Sequence, residues 1–188
     1  MQEHTPLQDP RFTRFIQGMT ALVESRTDEP ALLQQGRALL TPLLADADWL
    51  PPALARPRTD RYAQYLLYRD PQARFSVVSF VWGPGQKTPV HNHTVWGLVG
   101  MLQGCERCEE YDLHDAQPVP QGHSHLLRPG QIEAVSPTVG DWHRVSNALD
   151  DQASISIHVY GGDIGAIRRH MLDAQGQVVD FVSGYTSP

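Results

Sequence analysis

From about Tyr62 onward the chain breaks into short apolar runs cut by turn residues, and this texture limits the fold more than any other feature. Phe75 to Trp82 reads as a strand closed by Gly83-Pro84-Gly85, and Val95 to Leu102 and Cys105 to Leu113 read as two more. Pro118 to Gln121 is expected to form a loop and Arg128-Pro129-Gly130 a turn. Gln131 to Val135 and Ser154 to Tyr160 are further strands, and Asp173 to Gly176 turns a late hairpin. Fifteen Gly and fifteen Pro in 188 residues favour many short strands over long helices, hence a β-sandwich or barrel.

The first third is different. Phe12, Phe15, Ile16, Met19, Leu22 and Val23 recur at three- and four-residue spacing, which predicts an amphipathic helix. Asp28 can cap a second helix with Pro30 in its first turn and Leu32, Leu33, Leu39 and Leu40 on its buried side. Pro51-Pro52 ends the pattern. The expected architecture is a single domain over 1–188, with a helical lead-in over 1–60 and a barrel over 61–188.

Charge excludes some partners. Fifteen basic against 21 acidic side chains leave a formal net charge of -6, so no basic field exists to replace phosphate counterions. Nucleic acid and anionic membrane surfaces are therefore not expected partners. No window approaches a membrane-spanning apolar run, and the polar stretch from Met1 to Pro10 carries no secretory pattern, so a cytoplasmic location is expected. Two Cys cannot build a disulfide framework, whereas nine His suffice for a metal site.

The strongest chemical signal is Pro89-Val-His91-Asn-His93-Thr. On a strand, His at i and i+2 face the same way and can reach one metal ion. Gly85 precedes His91 and Gly104 follows His93; further on, Gly140-Asp-Trp-His143 is followed by Asn147.

In these residues the chain resembles the cupin superfamily. The first cupin motif, G-x5-H-x-H-x3-E-x6-G, is matched at Gly85, His91, His93 and Gly104. The second is matched in part at Gly130, Pro137, Gly140, His143 and Asn147, with one extra residue in each of two gaps. Gly97 stands where the motif has its carboxylate ligand. Three neutral imidazoles without that carboxylate leave a dication its full charge and open positions, which suits a thiolate and dioxygen on iron. A zinc or manganese isomerase cupin would more naturally keep the acid.

A narrower resemblance follows from Ser156-Ile-His158-Val-Tyr160, whose polar side chains share one face of a strand. With the three His and the phrase His93-Thr-Val-Trp-Gly-Leu-Val-Gly-Met-Leu-Gln-Gly104, it is similar to the thiol dioxygenases, the relatives of cysteine dioxygenase. The likeness runs from about Tyr62 to Arg169. It implies a cupin barrel, Fe(II) held by His91, His93 and His143, and a relay of Ser156, His158 and Tyr160. It also implies a small thiol carboxylate and O2 as substrates and a sulfinate as product.

Two departures from the mammalian cysteine enzymes refine the expectation. Gln64 stands where those enzymes place a carboxylate-binding Arg, and Gly97 where they place a Cys cross-linked to the relay Tyr. Tyr160 is thus expected to be free. The Gln resembles the branch that oxidises 3-mercaptopropionate, in which a later Arg binds the carboxylate; Arg169 is the first candidate and Arg168 the second. Cysteine and mercaptosuccinate are alternative substrates. A non-catalytic cupin binding a metal or small acid is the alternative outside enzymes, although a binder has no need of the relay.

Other residues are expected to be incidental. Cys105 and Cys108, at i and i+3, should face opposite sides of a strand and not converge. His123 and His125 read as a solvated segment of a Pro/Gly loop, and His4, His114 and His170 as surface residues. Trp96 and Trp142 flank ligand positions and either wall the pocket or pack in the core.

Overall fold

The computed structural model describes residues 7–188, so His4 and the expected absence of a leader over Met1 to Pro10 lie wholly or partly outside the described residues. Helix α1 (Pro10–Glu24) starts where the Asp9 side chain accepts from the Arg11 amide, and α2 (Glu29–Leu40) where Asp28 accepts from Ala31. Each carboxylate satisfies an amide that the first helical turn leaves free, and Pro10 and Pro30 occupy positions with no amide to satisfy. Phe12, Phe15, Met19 and Leu22 from α1 and Leu32, Leu33 and Leu40 from α2 are buried, as the periodicity predicts, while Leu39 is only partly so. Gly36 lets α2 approach the barrel closely: a Cβ there would sit 2.7 Å from the Leu98 side chain.

Ten strands follow: β1 (Ala63–Arg69), β2 (Ser76–Trp82), β3 (Gly97–Gln103), β4 (Glu106–His114), β5 (Gln117–Leu127), β6 (Ile132–Val135), β7 (Trp142–Asn147), β8 (Ser154–Tyr160), β9 (Arg169–Leu172) and β10 (Val178–Phe181). One sheet has the order β1-β2-β8-β3-β6, a second β5-β4-β7, and β9 and β10 form a hairpin. All of the strand pairings are antiparallel.

The segment 87–91 joins β7 to the hairpin. Lys87 bridges to Ser146, and His91 bridges to both His143 and Met171. The second layer therefore runs continuously from β5 to β10 and faces the five-stranded sheet, while the helices cover that sheet's outer side. The result is the mainly β, jelly-roll-like barrel with N-terminal helices that the turn-rich sequence predicts.

One element departs from expectation. Pro118 to Gln121, expected as a loop, lies within β5, and so do His123 and His125. The strand tolerates Pro118 and Pro120 because β5 is the edge of its sheet and pairs only with β4.

Candidate metal centre and its cavity

The two layers bring together what the sequence separates. His91 and His93 lie on an extended segment that is not a regular strand; only His91 makes a ladder bridge. His91 and His143 exchange both backbone hydrogen bonds at 3.0 Å, which fixes β7 against the His91 segment. The three ring centroids stand 4.8–5.0 Å apart, and one nitrogen from each ring falls within 4.8 Å of the others.

Each imidazole is held from behind through Nδ1. His91 meets the Pro89 carbonyl at 3.1 Å, His93 the Asp141 carboxylate at 3.0 Å, and His143 the Cys108 sulfur at 3.5 Å. Outer partners of this kind select the tautomer that presents Nε2 to a metal. His93 Nε2 is buried with no hydrogen-bond partner, a costly condition that an ion among the three rings would relieve. Burial is also the main reason that all three rings resist protonation, with His91 pushed down to about 3. Neutral imidazoles are the form that ligates metal. His91, His93 and His143 could thus hold a metal ion, as their spacing suggests.

Asp141 is a functional residue that the sequence reading passed over although it lies inside the second motif. Its carboxylate accepts from the backbone amides of His93 at 2.8 Å and Thr94 at 3.0 Å as well as from the His93 ring. Thr94 has φ 61°, a left-handed conformation that disfavours a β-branched residue. That turn points two successive amides at one carboxylate and so sets the position of His93.

Opposite the His cluster, β8 presents Ser156, His158 and Tyr160 on one buried face. Ser156 Oγ lies 2.8 Å from His158 Nε2, and His158 Nδ1 lies 2.7 Å from the Tyr160 hydroxyl. The Tyr160 ring stacks on His93 with centroids 5.4 Å apart, joining the relay to the metal cluster. Gly97 permits that position: a Cβ there would stand 2.8 Å from the Tyr160 ring and 2.9 Å from Val135. Burial pushes the phenol well above its usual range and keeps His158 neutral, so Tyr160 retains its proton at neutral pH.

A cavity of about 430 Å³ opens onto His91, His143, His158 and Tyr160. Arg169 reaches into it with 5% of its surface exposed, its guanidinium 4.5 Å above the Phe181 ring and Nη2 donating to Ser183 at 2.7 Å. Its Nε is buried and unpartnered, and no carboxylate among the described residues forms an ion pair with it. Arg168, the second candidate, points away to solvent and pairs with Asp180. Gln64 also lines the cavity, with its amide nitrogen donating to the Gly184 carbonyl.

Some expectations need correction. Neither Trp96 nor Trp142 lines this cavity; Trp96 packs against the core beneath the helices, and Trp142 stacks on His170. Tyr62, Phe80 and Trp82 supply the aromatic wall instead. His114 is exposed as expected, and the His170 side chain is 41% exposed although three hydrogen bonds tie the residue to Asn92. Cys108 is buried behind His143 and has a role in orienting it, which a spacing argument about two sulfurs could not find.

No protein-family model matches the chain. Among solved structures, it is similar to a protein with a double-stranded β-helix domain from Klebsiella pneumoniae (19% identity, 58% of this chain and 80% of that one, TM-score 0.48). It is also similar to an RmlC-like cupin protein from Ralstonia eutropha (16% identity, 73% and 78%, TM-score 0.48). A third is a cupin 2 domain-containing protein from Halorhodospira halophila (16% identity, 64% and 77%, TM-score 0.48). The fold is cupin-like. The likeness lies in the chain's own strand order and register, and the chemistry of the site in its own side chains. No helix among the described residues is long and apolar enough to cross a membrane.

Proposed function

We propose that the protein is a cytoplasmic, non-haem Fe(II) thiol dioxygenase that converts a small thiol carboxylate, 3-mercaptopropionate in the first instance, to its sulfinate. The reaction balances without a further reductant: the O–O bond breaks, two S–O bonds form, sulfur loses four electrons and dioxygen gains four. The observation that carries the reading is Arg169, a buried guanidinium with no carboxylate partner, sharing one cavity with the His cluster and Tyr160.

His91, His93 and His143 would hold the iron, which when bound would supply the positive charge that favours a thiolate and a path for electrons from sulfur to dioxygen. Arg169 would bind the substrate carboxylate through its planar fork, and its burial strengthens that pairing. Arg58 and Arg61 at the same cavity share one carboxylate, Asp60, and so leave a net positive charge that favours an anion, against the negative charge of the whole chain. Among the described residues the cavity lining offers no carboxylate for an ammonium group, which favours a des-amino thiol acid over cysteine.

The relay has a direction. Trp82 Nε1 can only donate, and it faces Ser156 Oγ at 3.5 Å. Ser156 then donates to His158 Nε2, and His158 Nδ1–H donates to the Tyr160 oxygen. This arrangement leaves the phenol proton pointing into the cavity, where Tyr160 can give it to a developing oxygen anion. Phe80, its ring 4.1 Å from that of His158, stacks on the imidazole and limits its rotation.

The test is oxygen uptake by the Fe(II)-loaded protein with 3-mercaptopropionate, cysteine, cysteamine and mercaptosuccinate in parallel, with sulfinate quantified. The reading predicts the highest efficiency with 3-mercaptopropionate and little with cysteamine, which lacks the carboxylate. Cysteine outrunning 3-mercaptopropionate more than about tenfold would overturn the substrate assignment. Silence with every thiol would leave a metal-binding cupin without this activity.

A further inference from the structure

Two features that look incidental in the sequence meet in the fold. Cys108 on β4 lies directly across the ladder from His125 on β5, and β6 brings Glu133 against both. Cys108 Sγ is 3.8 Å from Glu133 Oε1, and His125 Nε2 is 3.1 Å from Glu133 Oε2. One ligand atom from each of the three lies within 4.8 Å of the others. The expected loop is a strand here, and it turns His125, still 40% exposed, toward this pair.

We propose that Cys108, His125 and Glu133 form a second metal site, separate from the three-His centre, for a thiophilic divalent cation such as Zn2+. Thiolate, imidazole and carboxylate together are a zinc-type donor set, and one donor atom from each already lies within 4.8 Å of the other two. An independent feature supports ligation through His125 Nε2. The other ring nitrogen, Nδ1, faces the Glu110 carboxylate at 3.6 Å, beyond hydrogen-bond length but on the side where a carboxylate would orient a metal-bound imidazole. The side chain of His125 is 40% exposed and that of Glu133 21%, so the ion has an entry path and water can fill a fourth position. On binding, the Cys108 thiol proton leaves to solvent and the sulfur lone pair goes to the metal.

The site lies behind the first. Cys108 Sγ also touches His143 Nδ1 at 3.5 Å, so an ion here would withdraw electron density from a sulfur that orients a ligand of the other centre. Its existence does not depend on thiol dioxygenase activity.

Anaerobic titration of the metal-free protein with Co2+ tests the proposal, because a thiolate ligand gives a charge-transfer absorption that the three-His centre cannot. Two equivalents per chain are expected, one of them with the charge-transfer band. His91→Ala should keep the band, Cys105→Ser should leave it unchanged, and Cys108→Ser should abolish it. His125→Ala and Glu133→Ala leave the Cys108 contact with His143 intact and should weaken the band-forming site at least about tenfold. The proposal fails if the wild type binds one equivalent without the band. It also fails if Cys105→Ser removes the band, or if the band persists undiminished in both His125→Ala and Glu133→Ala.

Discussion

The two faces of β8 are equally buried and chemically opposite. Toward the helices it presents Ile155, Ile157 and Val159, which join the main hydrophobic core. Toward the cavity it presents Ser156, His158 and Tyr160, flanked across the ladder by Val78 and Phe80 of β2. A half-polar strand ordinarily places its polar side in water. Here the polar side faces an interior cavity, and Ser156, His158 and Tyr160 satisfy one another in a line toward the His cluster. Apolar burial on one face stabilises the strand, and the other face uses that rigidity to hold a reactive geometry.

This division can be attacked from either side. His143→Ala should have the largest effect, abolishing stoichiometric iron retention and with it all turnover, as read by metal analysis after dialysis. Tyr160→Phe should keep iron and fold but lower turnover by about 10²–10⁴-fold, the range for loss of a positioned proton donor. Ile157→Ala should do the reverse. The side chain is fully buried, so the substitution should cost about 2–5 kcal/mol in urea unfolding while turnover per folded molecule stays near wild type. Equal losses of activity per folded molecule in Ile157→Ala and Tyr160→Phe would erase the distinction between the faces. Arg169→Gln should raise KM for 3-mercaptopropionate by about 10–100-fold, the value of a charge-assisted hydrogen bond, with a smaller change in kcat.

The smallest effect concerns a group behind the relay. Glu106 is buried beside Ser156 and Trp82, neither carboxylate oxygen has a close hydrogen-bond partner, and burial pushes its carboxyl up to about 8 from an ordinary 4.5. The folded state then holds a proton that the unfolded chain releases above its ordinary value, so this group's effect on stability becomes less favourable as pH rises between about 4.5 and 8. Glu106→Gln should flatten that decline, raising the melting temperature at pH 8 by a few degrees (~1 kcal/mol) and changing it little at pH 5. An unchanged difference between the two pH values would show that Glu106 is already ionised in the folded state.

The sequence made the helices legible, because Asp9, Asp28 and the apolar spacing act within a few residues of one another. It also made β8 and the three His legible, since a period of two and a matched motif survive without tertiary context. It misled at β5, where two prolines signal a loop unless the strand is known to lie at a sheet edge. Asp141, Cys108 and Glu106 stayed hidden for one reason. Each acts on residues 24 to 50 positions away, so its role exists only once the strands are in register. Arg168 and Arg169 are adjacent in sequence, where Arg169 already ranks first, and the structure buries Arg169 and exposes Arg168.

The central claim is that the polar face of β8 and the His cluster together deliver dioxygen to a thiol. Sulfinate formed from 3-mercaptopropionate under isotopically heavy dioxygen in ordinary water, analysed by mass spectrometry, tests it most directly. Both sulfinate oxygens should be heavy, in the iron-loaded protein only. A product carrying one heavy oxygen or none, or the same product from metal-free protein, would contradict the account.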